Sequence, residues 1–109
     1  MMLKFEDELM KSLKDPKEAA AYLQAALIEG DADSLLIAVQ TLARAKGGMA
    51  LLAKKTKLDR VHLYRLLGKG GNPSFRNMMI ILEALGLKID LSSKLGSSKE
   101  RKSTSRVTA

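Results

Sequence analysis

Glycines divide the middle of this chain into short apolar segments, and this spacing constrains the fold more than any other sequence feature. They stand at positions 30, 47, 48, 68, 70, 71 and 86. Between them, apolar residues recur three or four positions apart, as on one face of a helix. A glycine directly after such a segment is typical of a helix end. The sequence therefore predicts an all-α bundle of short helices with short connections.

The first two of five predicted helices have clear start signals. Asp15 precedes Pro16, which places a capping acceptor before a proline at the first helical position. This helix is expected to end at Gly30. Either Asp31 or Asp33 is expected to cap the second helix, which the pair of glycines at 47 and 48 ends.

The next two helices are shorter and flank a single leucine. The third is predicted at about residues 49–55, and the fourth runs from a cap at Asp59 to about residue 67. Leu58 lies between them as an expected apolar plug. With Leu63 and Leu66 facing inward, the opposite face of the fourth helix carries Arg60, Val61, Tyr64 and Arg65.

A glycine-rich loop, residues 68–73, separates the fourth helix from the fifth. Ser74 is expected to cap the fifth helix and Gly86 to end it. Its predicted inward residues are Met78, Met79, Ile81, Leu82 and Leu85. Residues 87–91 alternate apolar and polar, so either a short strand or an extended plug is expected.

The two ends of the chain carry weaker signals. Residues 1–14 are expected to be a lead-in, in which Phe5, Leu9 and Leu13 allow one turn of helix. Residues 92–109 are rich in Ser, Thr, Lys and Arg with little to bury, and we expect a disordered basic tail. The predicted helical domain is therefore residues 15–91.

Positive charge is concentrated in the second half of the chain. Residues 1–46 carry six Lys/Arg and eight Asp/Glu, a net of −2. Residues 47–91 carry eight and three, a net of +5, and residues 92–109 carry five and one, a net of +4. A one-sided basic balance is typical of a protein with a polyanionic partner, although a solvated basic surface gives the same numbers.

Composition argues against several classes of protein. The chain has no cysteine and one histidine, His62, so neither a multi-histidine metal site nor a nucleophilic enzyme is expected. No cofactor is expected. No apolar run approaches the ~20 residues of a membrane helix, and charges interrupt residues 1–10, unlike a secretory signal. We expect a soluble, cytoplasmic protein.

The outward face of the fourth helix suits the major groove of DNA. Arg60 or Arg65 has the fork of donors that pairs with guanine, and Val61 can pack on a thymine methyl group. Tyr64 is expected at a phosphate or sugar. Asp59 is expected to cap the helix, because a carboxylate near phosphates is otherwise unfavourable.

Two runs carry a family resemblance that covers about residues 14–91. GMALLAKKTKLDRVHLYRLLGKGGNPSFRNMMIILEALGL resembles the phage-repressor-like helix-turn-helix family, with the helix-turn-helix at about residues 48–67. The preceding DPKEAAAYLQAALIEGDADSLLIAVQTLARAKGGM narrows the resemblance to addiction-module antidote proteins, the antitoxins of toxin–antitoxin pairs. The chain departs from the repressor pattern twice, with Lys57 at the usual turn glycine and Met49 at the usual phosphate-contacting glutamine.

The resemblance implies roles for particular residues. Base contacts fall to Arg60, Val61 and Arg65. Backbone contacts fall to Lys57, Lys69, Asn72 and Arg76, with Tyr64 beside them.

The resemblance also implies partners and a function. Because one short helix offers limited contact area, we predict a homodimer on a palindromic operator. The fifth helix and residues 87–91 are the best apolar candidates for the dimer contact, and the N-terminal helices are the second choice. The resemblance further implies a small, ribonuclease-like protein toxin as partner and an autoregulating repressor as function. One alternative is a stand-alone phage- or plasmid-type repressor. Another is a protein-binding adaptor that uses the helices only as a scaffold.

Overall fold

A computed structural model describes residues 2–94, with side chains from residue 5 onward. These residues form six helices and no strand. The helices are α1 (Met2–Ser12), α2 (Pro16–Ile28), α3 (Ala32–Ala45), α4 (Met49–Thr56), α5 (Arg60–Leu67) and α6 (Phe75–Ala84). The all-α prediction is confirmed.

The predicted number of five helices is wrong, because the expected lead-in contains a sixth. Helix α1 packs against α3. Leu9 is half-buried and Leu13, directly after the helix, is only 2% exposed. The predicted turn therefore extends to three turns, because burial of this apolar face stabilises a helix that would be marginal alone.

Helix α3 lies at the centre of the molecule and packs against α1, α2, α4 and α5. Val39 and Leu42 are fully buried on it. The largest fully buried side chains come from three helices, α3, α5 and α6, and from the α1–α2 connection: Leu13, Val39, Leu42, Leu63, Leu67 and Ile81. Helices α4 and α5 pack directly against α3, and α6 packs against α4.

Most of the predicted helix caps are present. The carboxylate of Asp31 accepts a hydrogen bond from the Asp33 backbone N–H at 2.9 Å, so Asp31 is the cap of α3. Ser74 accepts from the Asn77 N–H at 3.0 Å and caps α6. Asp15 precedes α2 with Pro16 at the first helical position, but its side chain makes no capping bond.

Several predicted burial assignments need correction. On α5, Leu66 is half-buried and the next residue, Leu67, is fully buried. On α6, Met79 is 49% exposed, although an inward position was predicted. Both errors shift the buried face of a helix by one residue, which apolar spacing does not resolve in a run such as MMIIL.

Residues 87–91 have no strand structure. The Leu87 N–H donates to the Leu82 carbonyl at 2.9 Å, and the Leu87 side chain packs against the core, so the plug is confirmed at this residue. Residues 92–94 form neither helix nor strand. The rest of the expected basic tail, residues 95–109, lies outside the described residues.

None of the described helices is by itself long and apolar enough to cross a membrane. Taken together, α3 and α4 are long and apolar enough by length and composition alone, but the pair is bent by 96° at the break between them.

The connection between α4 and α5 is only three residues long. Lys57 adopts the left-handed conformation at φ 64° and is the one non-glycine residue with positive φ in the described chain. The buried Thr56 hydroxyl donates to the Leu52 carbonyl at 2.8 Å and accepts from the Leu58 N–H at 3.2 Å. These bonds hold the tight turn although lysine is a poor residue for it.

Replacing Lys57 by glycine is expected to stabilise the protein. A left-handed conformation costs a residue with a Cβ roughly 1–2 kcal/mol, and the greater freedom of glycine in the unfolded chain offsets part of the gain. We expect Lys57→Gly to raise the free energy of unfolding by about 0.5–1 kcal/mol in urea titrations. The control Lys55→Gly, in α4, should lower it by up to about 1 kcal/mol. Equal losses in both variants would contradict the left-handed turn.

Truncating Leu63 tests the attachment of α5 to the core. Leu63 is fully buried, so Leu63→Ala should lower the free energy of unfolding by about 2–5 kcal/mol, measured by circular dichroism in urea. The control Leu91→Ala, at a leucine 88% exposed, should change it by less than about 0.5 kcal/mol. Similar values for the two variants would place α5 away from the core.

Candidate nucleic-acid interface

Helix α5 presents one face to the core and the opposite face to solvent. Leu63 and Leu67 are fully buried, which fixes the rotation of the helix about its axis. All four residues of the predicted outward face are exposed, including Val61 at 63% and Tyr64 at 53%. The full set is Arg60, Val61, Tyr64 and Arg65, which we call the α5 face.

Two residues of the α5 face are in contact. The guanidinium carbon of Arg60 lies 5.9 Å from the centroid of the Tyr64 ring, one helical turn away. A cation at this distance is attracted to the ring, weakly where water surrounds both. The contact limits the conformations of the long arginine side chain at the start of the helix.

The N-terminus of α5 is capped by Asp59. Its carboxylate accepts a hydrogen bond from the His62 backbone N–H at 3.2 Å, as predicted. The carboxylate is therefore engaged by the helix itself. The side chain of His62 itself is exposed.

Two side chains that the sequence analysis missed hold α5 in place. The Gln40 side-chain amide on α3 donates to the Leu67 carbonyl at the C-terminal end of α5. Thr56 orders the turn before the helix. Both are polar residues near apolar ones, and no sequence signal separates them from ordinary surface residues.

The loop after α5 turns sharply at glycines. The Gly71 N–H donates to the Gly68 carbonyl at 2.8 Å. A Cβ atom on Gly71 would overlap the Leu66 carbonyl, so only glycine fits there. The loop therefore passes close to the last turn of α5 at Gly71, the residue before Asn72.

The predicted backbone-contact residues are all exposed and lie around α5. Lys57 precedes the helix, Lys69 and Asn72 follow it, and Arg76 lies in the first turn of α6. Met49, at the start of α4, is only 8% exposed. It therefore offers neither the chemistry nor the exposure of the glutamine usual at that position.

The interface offers positive charge and hydrogen-bond donors. Among residues 2–94, no group of three His, Cys, Asp or Glu side chains is placed to hold a metal ion. Helix α5 exposes two arginines. Lys57 precedes the helix in the chain, and Lys69 and Asn72 follow it.

Comparison with known proteins assigns the chain to a family. Residues 3–93 match the model of the family described as "Probable addiction module antidote protein". An uncharacterized protein of Haemophilus influenzae is 30% identical over 84 residues, which cover 77% of this chain and 86% of that protein. No solved structure matches.

The family model extends over all six helices, and an antidote implies a toxin as its partner. The resemblance inferred from residues 14–91 is thereby confirmed. The chain belongs to the addiction module antidote family, the antitoxin half of toxin–antitoxin pairs.

Proposed function

We propose that this antitoxin is also a repressor of its own operon, acting in the cytoplasm on double-stranded DNA. In this proposal α4 and α5 form a helix-turn-helix, and α5 is the recognition helix. The observation that carries it is the α5 face, in which exposed Arg60, Val61 and Arg65 lie on a short helix fixed to the core by Leu63 and Leu67.

The α5 face supplies the groups that direct readout of base pairs requires. Arginine can donate two hydrogen bonds to guanine O6 and N7, and Val61 can contact the methyl group of thymine. The stacked pair of Arg60 and Tyr64 reduces the entropy lost when the arginine is ordered on DNA. The side chain of Tyr64 is then directed to a sugar or phosphate.

Residues at both ends of α5 are suited to the DNA backbone. Lys57 and Lys69 neutralise phosphates, while Asn72 and Arg76 donate hydrogen bonds to them. Contacts of this kind set the register of the recognition helix and make the affinity depend on salt concentration.

A helix of eight residues offers little contact area, which favours a dimer. Two recognition helices then reach successive major-groove faces roughly 34 Å apart on a palindromic operator. The predicted dimer contact lies on α6 and residues 87–91. A groove of about 830 Å³ runs here between α6 and residues 87–89, with Phe75 72% exposed and Met79 49% exposed at its wall.

The first experiment is a titration of the purified full chain against the DNA upstream of its own gene, by fluorescence anisotropy at several salt concentrations. The variant Arg60→Ala/Arg65→Ala should lose at least about 10-fold in preference for this DNA over random DNA, because each arginine–guanine pair contributes about 1–3 kcal/mol of discrimination. Lys69→Ala should weaken both DNAs equally and reduce the salt slope by about 1.

The control is Lys11→Ala/Lys14→Ala, which removes the same charge from the α1 region. It should leave the preference intact. Absence of preference in the wild-type chain, or equal losses in the two double variants, would contradict DNA recognition by α5 and favour the protein-binding adaptor. DNA recognition in a chain whose operon encodes no toxin would instead indicate a stand-alone repressor.

The dimer surface is tested by making the groove polar. Phe75→Ser/Met79→Ser should convert a dimer into a monomer in light scattering coupled to gel filtration, because removal of exposed apolar anchors weakens association. The control Ile28→Ser/Ile37→Ser changes two residues that are 75% and 61% exposed on α2 and α3, and it should remain dimeric. The opposite pattern would move the dimer contact to the N-terminal helices.

A further inference from the structure

The N-terminal helices include a long segment without positive charge. No lysine or arginine occurs between Lys17 and Arg44. The same segment, which covers most of α2 and α3, carries four acidic residues and therefore a net charge of −4: Glu18, Glu29, Asp31 and Asp33.

Three of these acidic residues lie together where α2 turns into α3, beside exposed apolar side chains. Ile28, the last residue of α2, is 75% exposed, and Ile37, one turn after Asp33 on the same face of α3, is 61% exposed. Glu29, Asp31 and Asp33 are exposed between them. We call these five residues the corner patch.

The carboxylates of the corner patch are available to a partner. Asp31 caps α3 through one oxygen. Within the described part of the chain, no lysine, arginine or histidine forms an ion pair with Glu29 or Asp33. Exposed isoleucines beside unpaired charges are typical of an interaction surface, which has an apolar centre and a polar rim.

The corner patch lies on α2, α3 and their connection, whereas the α5 face lies on a different helix. Helix α2 packs principally against α3, and α3 in turn packs against α4 and α5. A partner on the corner patch therefore contacts different elements from those that the proposed operator contacts.

Charge decides which partner fits the corner patch. DNA is excluded, because its phosphates would face carboxylates. A second copy joined through the same patch by a two-fold axis is disfavoured, since it would bring the acidic residues against their own equivalents. A protein with a basic surface and apolar side chains is complementary to it.

We infer that the corner patch is the docking site for the toxin, through a basic surface of the toxin. This inference goes beyond the proposed repressor function and rests on the toxin partner that the family implies. The resemblance implies a ribonuclease-like toxin, which needs cations to bind the phosphates of RNA. Carboxylates of the corner patch compete with RNA for such cations. A toxin docked on the corner patch would thus be prevented from binding RNA, while α5 remains free to bind the operator.

The test uses the full chain and, as probe, the purified protein encoded by the gene next to its own. In isothermal titration calorimetry, Glu29→Lys/Asp33→Lys should weaken binding by at least about 10-fold, because like charges then face each other across the interface. Wild-type affinity should fall as salt is raised. Ile28→Ser/Ile37→Ser should also weaken binding but preserve this salt dependence.

The matched control is Asp7→Lys/Glu8→Lys, which makes the same change of charge on exposed residues of α1. It should bind the probe within about 3-fold of wild type, since it changes charge outside the corner patch. All variants should retain the wild-type Tm within a few degrees, so that unfolding does not explain lost binding.

Three results would overturn the inference. The α1 and corner-patch variants could weaken binding equally, the corner-patch variants could leave binding unchanged, or the wild-type chain could fail to bind the probe. Glu29→Lys/Asp33→Lys should still bind the promoter, because it leaves the α5 face unchanged. Measuring its promoter binding therefore separates this test from the test of the repressor proposal. If wild-type promoter binding is absent, the repressor proposal fails while the toxin titration is still decisive.

Discussion

The fold depends on mutual packing of short helices around the buried α3, because helices of this length are not stable alone. Helices α4 and α5 have eight residues each, well below the ~12–15 at which an isolated helix becomes marginally stable in water. Their apolar residues pack against a core that includes Val39 and Leu42 of α3. The Gln40 bond to the end of α5 adds a polar attachment to this apolar one.

Local sequence signals predicted much of this architecture. Caps at Asp31, Asp59 and Ser74 marked three helix starts correctly, because their hydrogen bonds join residues only two or three positions apart. The exposed face of α5 followed from the periodicity of its leucines. The glycine loop was predicted as a turn, although the close packing of Gly71 on Leu66 was not apparent from composition.

The errors in prediction involve contacts between residues distant in sequence. Helix α1 extends through residues 2–12 because it packs against α3. No capping signal in the sequence indicated a helix of this length. Gln40 and Leu67 are 27 positions apart, so their bond had no local signature. The roles of Arg60 and Arg65 in DNA binding stay predictions. Exposure shows that these side chains are accessible, and only a binding measurement tests whether they contact DNA.

The division of charge between the two halves of the chain gives the molecule an electric dipole. The segment between Lys17 and Arg44 forms its negative end, and the residues around α5 contribute to its positive end. In the proposed binding to DNA, such a dipole would experience a torque that turns α5 toward the phosphates before contact. A larger share of encounters then begins in the right orientation, an advantage that salt would diminish by screening.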